Sequence, residues 1–106
     1  MKWLMLSIAL VASTPAYADT SRGMGVGVTA SCGKWLQDRE KKDYSSMGNW
    51  ASGFLTGVDF VTGNKVLEKT DGAGVFYWLD NYCRTNPTNV FGDAVQEFYL
   101  AHAKKP

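Results

Sequence analysis

Few side chains in this 106-residue chain combine a type and a spacing that would support catalysis. The single histidine, His102, lies near the C-terminus, where a solvated side chain is expected rather than a general base. Asp93 and Glu97 are four residues apart, which is typical of a solvated helix face. Asp80 and Arg84 have the same spacing, which predicts a surface ion pair. We therefore expect a protein that binds or protects rather than an enzyme, with no cofactor and no metal.

The two cysteines, Cys32 and Cys83, indicate a structural disulfide. A metal site or a redox pair is disfavoured because the chain has no CxxC motif and only one histidine. The bridge would close a loop of about 51 residues, which in the chain-entropy model stabilises a domain by about 4 kcal/mol. Once bridged, neither cysteine offers a thiol nucleophile.

The first eighteen residues have the pattern of a secretory signal peptide. Lys2 provides the positive start, residues 3–11 form a short apolar run, and Ala16-Tyr17-Ala18 is a small-x-small cleavage site. The apolar run is shorter than a membrane span requires. We therefore expect cleavage after Ala18 and localisation in the periplasm, where an oxidising environment favours the disulfide.

The remaining 88 residues (19–106) correspond to one small domain. Residues 19–30 carry Gly23, Gly25 and Gly27 in alternation, and we interpret them as a flexible glycine-rich arm that precedes a helical domain over 31–106. A nucleotide-binding loop is rejected because no strand precedes these glycines. Acidic and basic residues balance after cleavage, so neither nucleic acid nor a membrane surface is an expected partner.

Helical periodicity predicts an all-α bundle of four short helices, bridged between the first and the third by Cys32–Cys83. The four predicted helices cover about 31–42, 46–61, 71–85 and 87–104. Thr29 or Ser31 would cap the first helix, and Thr70 or Asp71 the third. Asn86-Pro87 ends the third helix and would start the fourth, with Asn86 as its N-cap.

The second helix carries one long apolar stripe and two glycines, Gly53 and Gly57, one turn apart. The stripe runs through Met47, Trp50, Ala51, Phe54, Leu55, Val58 and Val61, and Asp59 interrupts it and is expected to face water. Each glycine costs about 1 kcal/mol relative to alanine in a helix. A close helix crossing would explain them, and so would a groove or a dimer seam. The predicted apolar binding surface comprises Trp50, Gly53, Phe54, Gly57, Phe76 and Phe91.

Two short segments resemble the small periplasmic HdeA/HdeB-type acid-stress chaperones. These segments are SCGKWL (31–36), with a cysteine before an aromatic-aliphatic pair, and YCRTNP (82–87). The resemblance implies a signal-bearing, all-helical domain with one disulfide, which protects unfolded periplasmic proteins from aggregation in acid. Protonation of the carboxylates would take the mature chain from near neutrality to about +12, and the resulting self-repulsion favours opening.

A second resemblance is to the small periplasmic immunity proteins of the Tai/Rap type. It is carried by GFLTG (53–57) and by the Asn86-Pro87 start of a last amphipathic helix. This resemblance implies a specific inhibitor of a type VI secretion effector. The expected partners are therefore other proteins, either unfolded clients or one effector, and a second copy of the chain is a further expected partner.

The disulfide can be tested by mass spectrometry on the mature protein. Without reductant, the mass should be two hydrogens below that of the dithiol form, and the Cys83→Ser variant should lose about 4 kcal/mol of unfolding free energy. Two cysteines open to alkylation in the native protein would contradict the bridge.

Overall fold

The computed structural model describes residues 23–103, which form an all-α bundle. Within this range the helices are α1 (Val26–Thr29), α2 (Cys32–Glu40), α3 (Ser45–Thr62), α4 (Gly72–Thr85) and α5 (Phe91–His102). The predicted signal peptide and Lys104 lie outside the described residues. No helix within 23–103 combines the length and the hydropathy needed to cross a bilayer.

The predicted disulfide between α2 and α4 is confirmed, with an S–S distance of 2.06 Å between Cys32 and Cys83. Both cysteines are completely buried. They are part of one core that receives side chains from α2, α3, α4 and α5 and from the α3–α4 connection. Its largest fully buried side chains are Trp35, Phe91, Phe98, Met47, Leu55, Leu79 and Val95. The bridge therefore crosses the interior of the domain rather than its surface.

Two of the predicted helix caps are confirmed. The Ser31 side chain accepts a hydrogen bond from the Lys34 N–H, and the Asp71 side chain accepts one from the Gly74 N–H. The predicted start of the last helix is wrong, because Asn86 is the C-cap of α4 and α5 begins only at Phe91.

The segment between α4 and α5 is a turn whose backbone pairs with the start of α2. The Gly33 N–H donates to the Pro87 carbonyl at 2.8 Å, and the Cys32 N–H donates to the Asn89 carbonyl at 2.7 Å. An antiparallel bridge joins Ser31 to the residue after Asn89, Val90. These hydrogen bonds satisfy free N–H groups in the first turn of α2, which explains why residues 87–90 are not helical.

The glycine-rich segment is not a flexible arm over its described part. Residues 26–29 form α1, which lies against α3 and α5. A Cβ atom built on Gly27 would lie 2.3 Å from the Trp50 indole, and one built on Gly92 would lie 2.7 Å from the Gly27 carbonyl oxygen. Gly25 has φ 92°, a conformation that disfavours a side chain. The glycines are therefore packing positions, which composition alone does not reveal.

The close-crossing explanation of Gly53 and Gly57 is also wrong. A Cβ atom on either glycine would meet nothing within 4 Å. The close approach of α3 to α4 occurs instead at Gly48, where a Cβ atom would lie 2.7 Å from the Phe76 ring. Gly53 and Gly57 thus lie on an open face of α3.

Asp59 does not simply face water, as its position in the stripe had predicted. Its two carboxylate oxygens accept hydrogen bonds from the backbone N–H groups of Val66 and Leu67, at 2.8 and 2.9 Å. These contacts hold the α3–α4 connection against the end of α3, and Val66 is buried in the core. A helix-period argument could not find this interaction because its partners are backbone groups in a loop.

A pair of glycine-to-alanine variants tests this packing. Gly27→Ala should lower the unfolding free energy by about 1–3 kcal/mol, because the new methyl group overlaps the Trp50 indole. Gly57→Ala should raise it by up to about 1 kcal/mol, since alanine is the better helix former and the space is open. Urea unfolding of both variants gives the two values, and destabilisation by Gly57→Ala would contradict the open face.

Candidate protein-binding surface

A groove of about 570 Å³ opens between α1, α3 and the N-terminal part of α5. Its apolar wall includes Trp50 and Phe54, whose rings stack with centroids 5.4 Å apart. Its remaining lining residues are Gly23, Met24, Gly27, Val28, Asn49, Gly53, Val90, Gly92, Asp93 and Gln96. We call this feature the groove. Its volume is within the range of ligand-binding cavities.

Backbone contacts hold Trp50 in the wall of the groove. The Trp50 Nε1–H group donates a hydrogen bond to the Met24 carbonyl at 2.8 Å. Gly27 leaves the space that the indole occupies, and Gly92 allows α5 to approach the Gly27 backbone. Trp50 is only partly buried, so the residue that fixes the position of α1 also presents part of its surface in the groove.

A shallow apolar depression continues from the groove along α3. It is lined by Gly53, Phe54, Gly57, Val58, Val61 and Thr62, and we call these residues the α3 surface. Gly53 and Phe54 belong to both features, so the two are continuous. The side chain of Val61 is 81% exposed, although the sequence pattern had placed it in a core stripe.

The predicted apolar stripe of the second helix therefore divides into two parts. Met47, Ala51 and Leu55 are buried in the core, whereas Trp50 and Phe54 border the groove. A stripe this wide covers more of the helix circumference than one neighbouring layer can bury, so half of it is left at the surface.

Two predicted members of the binding surface lie elsewhere. Phe91 is completely buried and stacks on Trp35, with ring centroids 4.8 Å apart. Phe76 packs edge-on against Trp35 and Tyr44. Neither lines the groove or the α3 surface, so each would contact a partner only after the bundle opens.

The interface between α2 and α4 depends on the buried carboxylate of Asp80. The Trp35 Nε1–H group donates to Asp80 Oδ1 at 2.8 Å, and Arg39 donates to both carboxylate oxygens, at 2.9 and 2.8 Å. The Arg39 guanidinium also lies over the Tyr44 ring, 4.7 Å from its centroid. The predicted Asp80–Arg84 pair is wrong, because Arg84 donates instead to Asn81.

The partner of Arg39 in this ion pair holds the guanidinium in its charged form. The hydrogen bond to Asp80 raises the pKa of the Arg39 guanidinium, against the opposite effect of its partial burial. Because the pKa of this base is raised, the contribution of its positive charge to stability is present at lower pH and is lost only above its already high ordinary range. Arg39 therefore stays charged across the acidic and neutral range.

His102 is at the surface on the last turn of α5, as predicted, but it is not free of contacts. Its Nδ1 atom lies 2.7 Å from the Phe98 carbonyl oxygen, and its ring stacks on Phe98 with centroids 4.1 Å apart. Residues 23–103 contain no group of three or more His, Cys, Asp or Glu side chains arranged to hold a metal ion.

Comparison of the chain with known protein families, curated proteins and solved structures found no match.

Sequence reasoning identified Trp50, Gly53, Phe54 and Gly57 but missed the other side of the groove. Met24 and Val28 had been assigned to an arm, and Val90 and Gly92 to the first turns of a helix that begins later than predicted. The available signal was the combination of alternating glycines with a large aromatic residue, which is typical of close backbone packing against a ring.

Two arginine variants test the network around Asp80. Arg39→Gln should lower the unfolding free energy by about 1–3 kcal/mol, because the Asp80 carboxylate, 9% exposed, loses its charged partner. The matched variant Arg84→Gln should change it by less than about 0.5 kcal/mol, since Arg84 is exposed. Thermal unfolding at neutral pH measures both, and equal effects would contradict the assignment of Arg39 as the partner.

Proposed function

We propose that this protein is a small periplasmic binding protein that covers apolar surface on other proteins. The observation that carries the proposal is the continuity of the groove with the α3 surface on the folded domain. Extended apolar surface on a small folded protein indicates an interaction site, because exposure to water is unfavourable unless a partner covers it. Secretion is supported by the signal-like start of the sequence and is compatible with the buried disulfide.

The mode of action that we favour is protection of other proteins under acid stress, as in HdeA/HdeB-type chaperones. Two structural carboxylates support an acid trigger. Asp80 is the charged partner of Arg39 at the α2–α4 interface, and Asp59 holds the α3–α4 connection. We expect acid to weaken both sets of contacts, which would free α4 from α2 and release the connection that precedes α4, while the disulfide keeps the two helices joined.

Opening of this kind would enlarge the apolar surface. Phe76 packs against Trp35 of α2 and Gly48 of α3, and Phe91 stacks on the same Trp35. Both rings would become accessible if α2 and α4 separated, whereas Trp50 and Phe54 already border the groove in the closed state. Positive charge from the protonated chain would keep a complex with an unfolded client in solution.

A second candidate function is inhibition of one folded partner, as in immunity proteins of the Tai/Rap type. The specific observation in its favour is that the groove is present in the closed, folded domain. A protein that binds in this state has no need of an acid trigger, and its complex would form at neutral pH with fixed stoichiometry.

Light scattering of an enzyme that aggregates at about pH 2–3 tests the proposed function. The wild-type protein should suppress the scattering, and Val61→Gln should suppress it less, because the α3 surface loses an apolar side chain. Phe60→Gln is the matched control: Phe60 is adjacent, is 90% exposed and lies outside both apolar features. Both substitutions replace one uncharged side chain by another, so the net charge of the two variants in acid equals that of the wild-type protein.

Equal scattering with and without the wild-type protein would refute the chaperone mode. Stoichiometric binding to one folded protein at neutral pH, lost in Val61→Gln but retained in Phe60→Gln, would establish the inhibitor mode in its place.

A further inference from the structure

The groove is apolar on its walls but also has a negative charge in its lining. Among the lining residues within 23–103, Asp93 is the only ionised side chain, and none is a lysine or an arginine. Asn49 and Gln96 are the other polar side chains that line it. A ligand that matches this lining needs an apolar part for Trp50 and Phe54 and a cation for Asp93.

Asp93 is placed so that a ligand can reach it. It is partly exposed, and within residues 23–103 no lysine or arginine lies within 4 Å of its carboxylate. Asp38 and Asp80, by contrast, each pair with a cation of this chain. Asp93 also lies in the first turn of α5, where a carboxylate is favoured by the helix dipole. The helix dipole explains why an aspartate occupies this position, but it does not provide a lysine or arginine side chain to pair with Asp93.

On these grounds we infer that the groove binds a cationic amphipathic segment of a partner protein, with an aliphatic or aromatic side chain against Trp50 and Phe54 and a lysine or arginine paired with Asp93. The inference rests on the proposed function and narrows its partner. Charge complementarity selects among apolar segments, because a segment with an acidic residue at the same position would meet Asp93 with like charge.

The residues next to Asp93 strengthen this selection. Apolar side chains line the groove beside the partly buried Asp93, and an ion pair is worth more where water is partly excluded. Gly92 adjoins Asp93 in the lining, and a Cβ atom there would lie 2.7 Å from the Gly27 carbonyl oxygen and 3.5 Å from the Trp50 ring. The glycine thus allows α1 to approach α5 closely, which places Asp93 at the edge of an apolar wall.

Three matched peptides provide the test. Each is an acetylated, amidated 14-residue amphipathic helix with the same leucines, and the polar positions are lysine, glutamine or glutamate. Fluorescence anisotropy of the labelled peptides with the full mature protein at neutral pH should show the lysine peptide binding at least tenfold more tightly than the glutamate peptide. Asp93→Asn should weaken binding of the lysine peptide by about tenfold, which corresponds to one charge-assisted contact.

Glu68→Gln is the matched control because it removes one carboxylate from the exposed α3–α4 connection, outside the groove. It should change binding of the lysine peptide by less than twofold. The melting temperature of Asp93→Asn shows whether loss of the helix-terminal carboxylate destabilises the fold. A variant that keeps its melting temperature but binds the peptide more weakly has lost the binding contact itself. Should that variant unfold, Gly53→Leu serves instead, since its side chain enters the groove from an open position on α3.

Equal affinity for the lysine, glutamine and glutamate peptides would overturn the cationic partner while leaving an apolar binding groove intact. Weakening by Glu68→Gln as large as that by Asp93→Asn would overturn the groove assignment, since the charge effect would then be general. Absence of binding by all three peptides would also overturn the inference. The proposed function can fail independently of this inference, because suppression of client aggregation is measured by light scattering without these peptides.

Discussion

The fold depends on how the indole N–H of Trp35 is satisfied in the core. Trp35 is completely buried, and its indole N–H donates to the Asp80 carboxylate. A carboxylate so deep requires a cation, which Arg39 supplies from the next turn of α2. One tryptophan thereby fixes which faces of α2 and α4 meet, and the disulfide between Cys32 and Cys83 joins the same two helices covalently.

A second tryptophan organises the packing of α1 by a different principle. Trp50 is accommodated because Gly27 has no side chain, and the lack of a side chain on Gly92 lets α5 approach the Gly27 backbone, so steric fit rather than charge sets the positions of α1 and α5. The two tryptophans also have different surroundings. The interface around Trp35 is closed and contains the Arg39–Asp80 ion pair, whereas the surroundings of Trp50 are partly open and border the groove.

This division gives the proposed function a physical basis. The proposed acid trigger concerns the α2–α4 interface, which contains the Arg39–Asp80 ion pair, whereas the groove is lined by residues of α1, α3 and α5 and the segments next to them. A partner can therefore contact the groove in the closed state, and opening adds apolar surface from Phe76 and Phe91. The same domain would support both a neutral-pH contact and an acid-dependent one.

The sequence by itself determined the all-α class and the disulfide, narrowed each of two helix caps to two residues that include Ser31 and Asp71, and indicated the apolar stripe of the second helix. These follow from local periodicity, from cysteine number and from hydrogen bonds within one turn. Only the tertiary structure decided that the Asp80 partner is Arg39 rather than Arg84, that the glycine-rich segment is packed, and that α5 begins at Phe91. Each of these depends on groups distant in the chain, whose approach helical spacing cannot specify. The groove belongs to this second class, because its walls come from three helices that meet only in the folded domain.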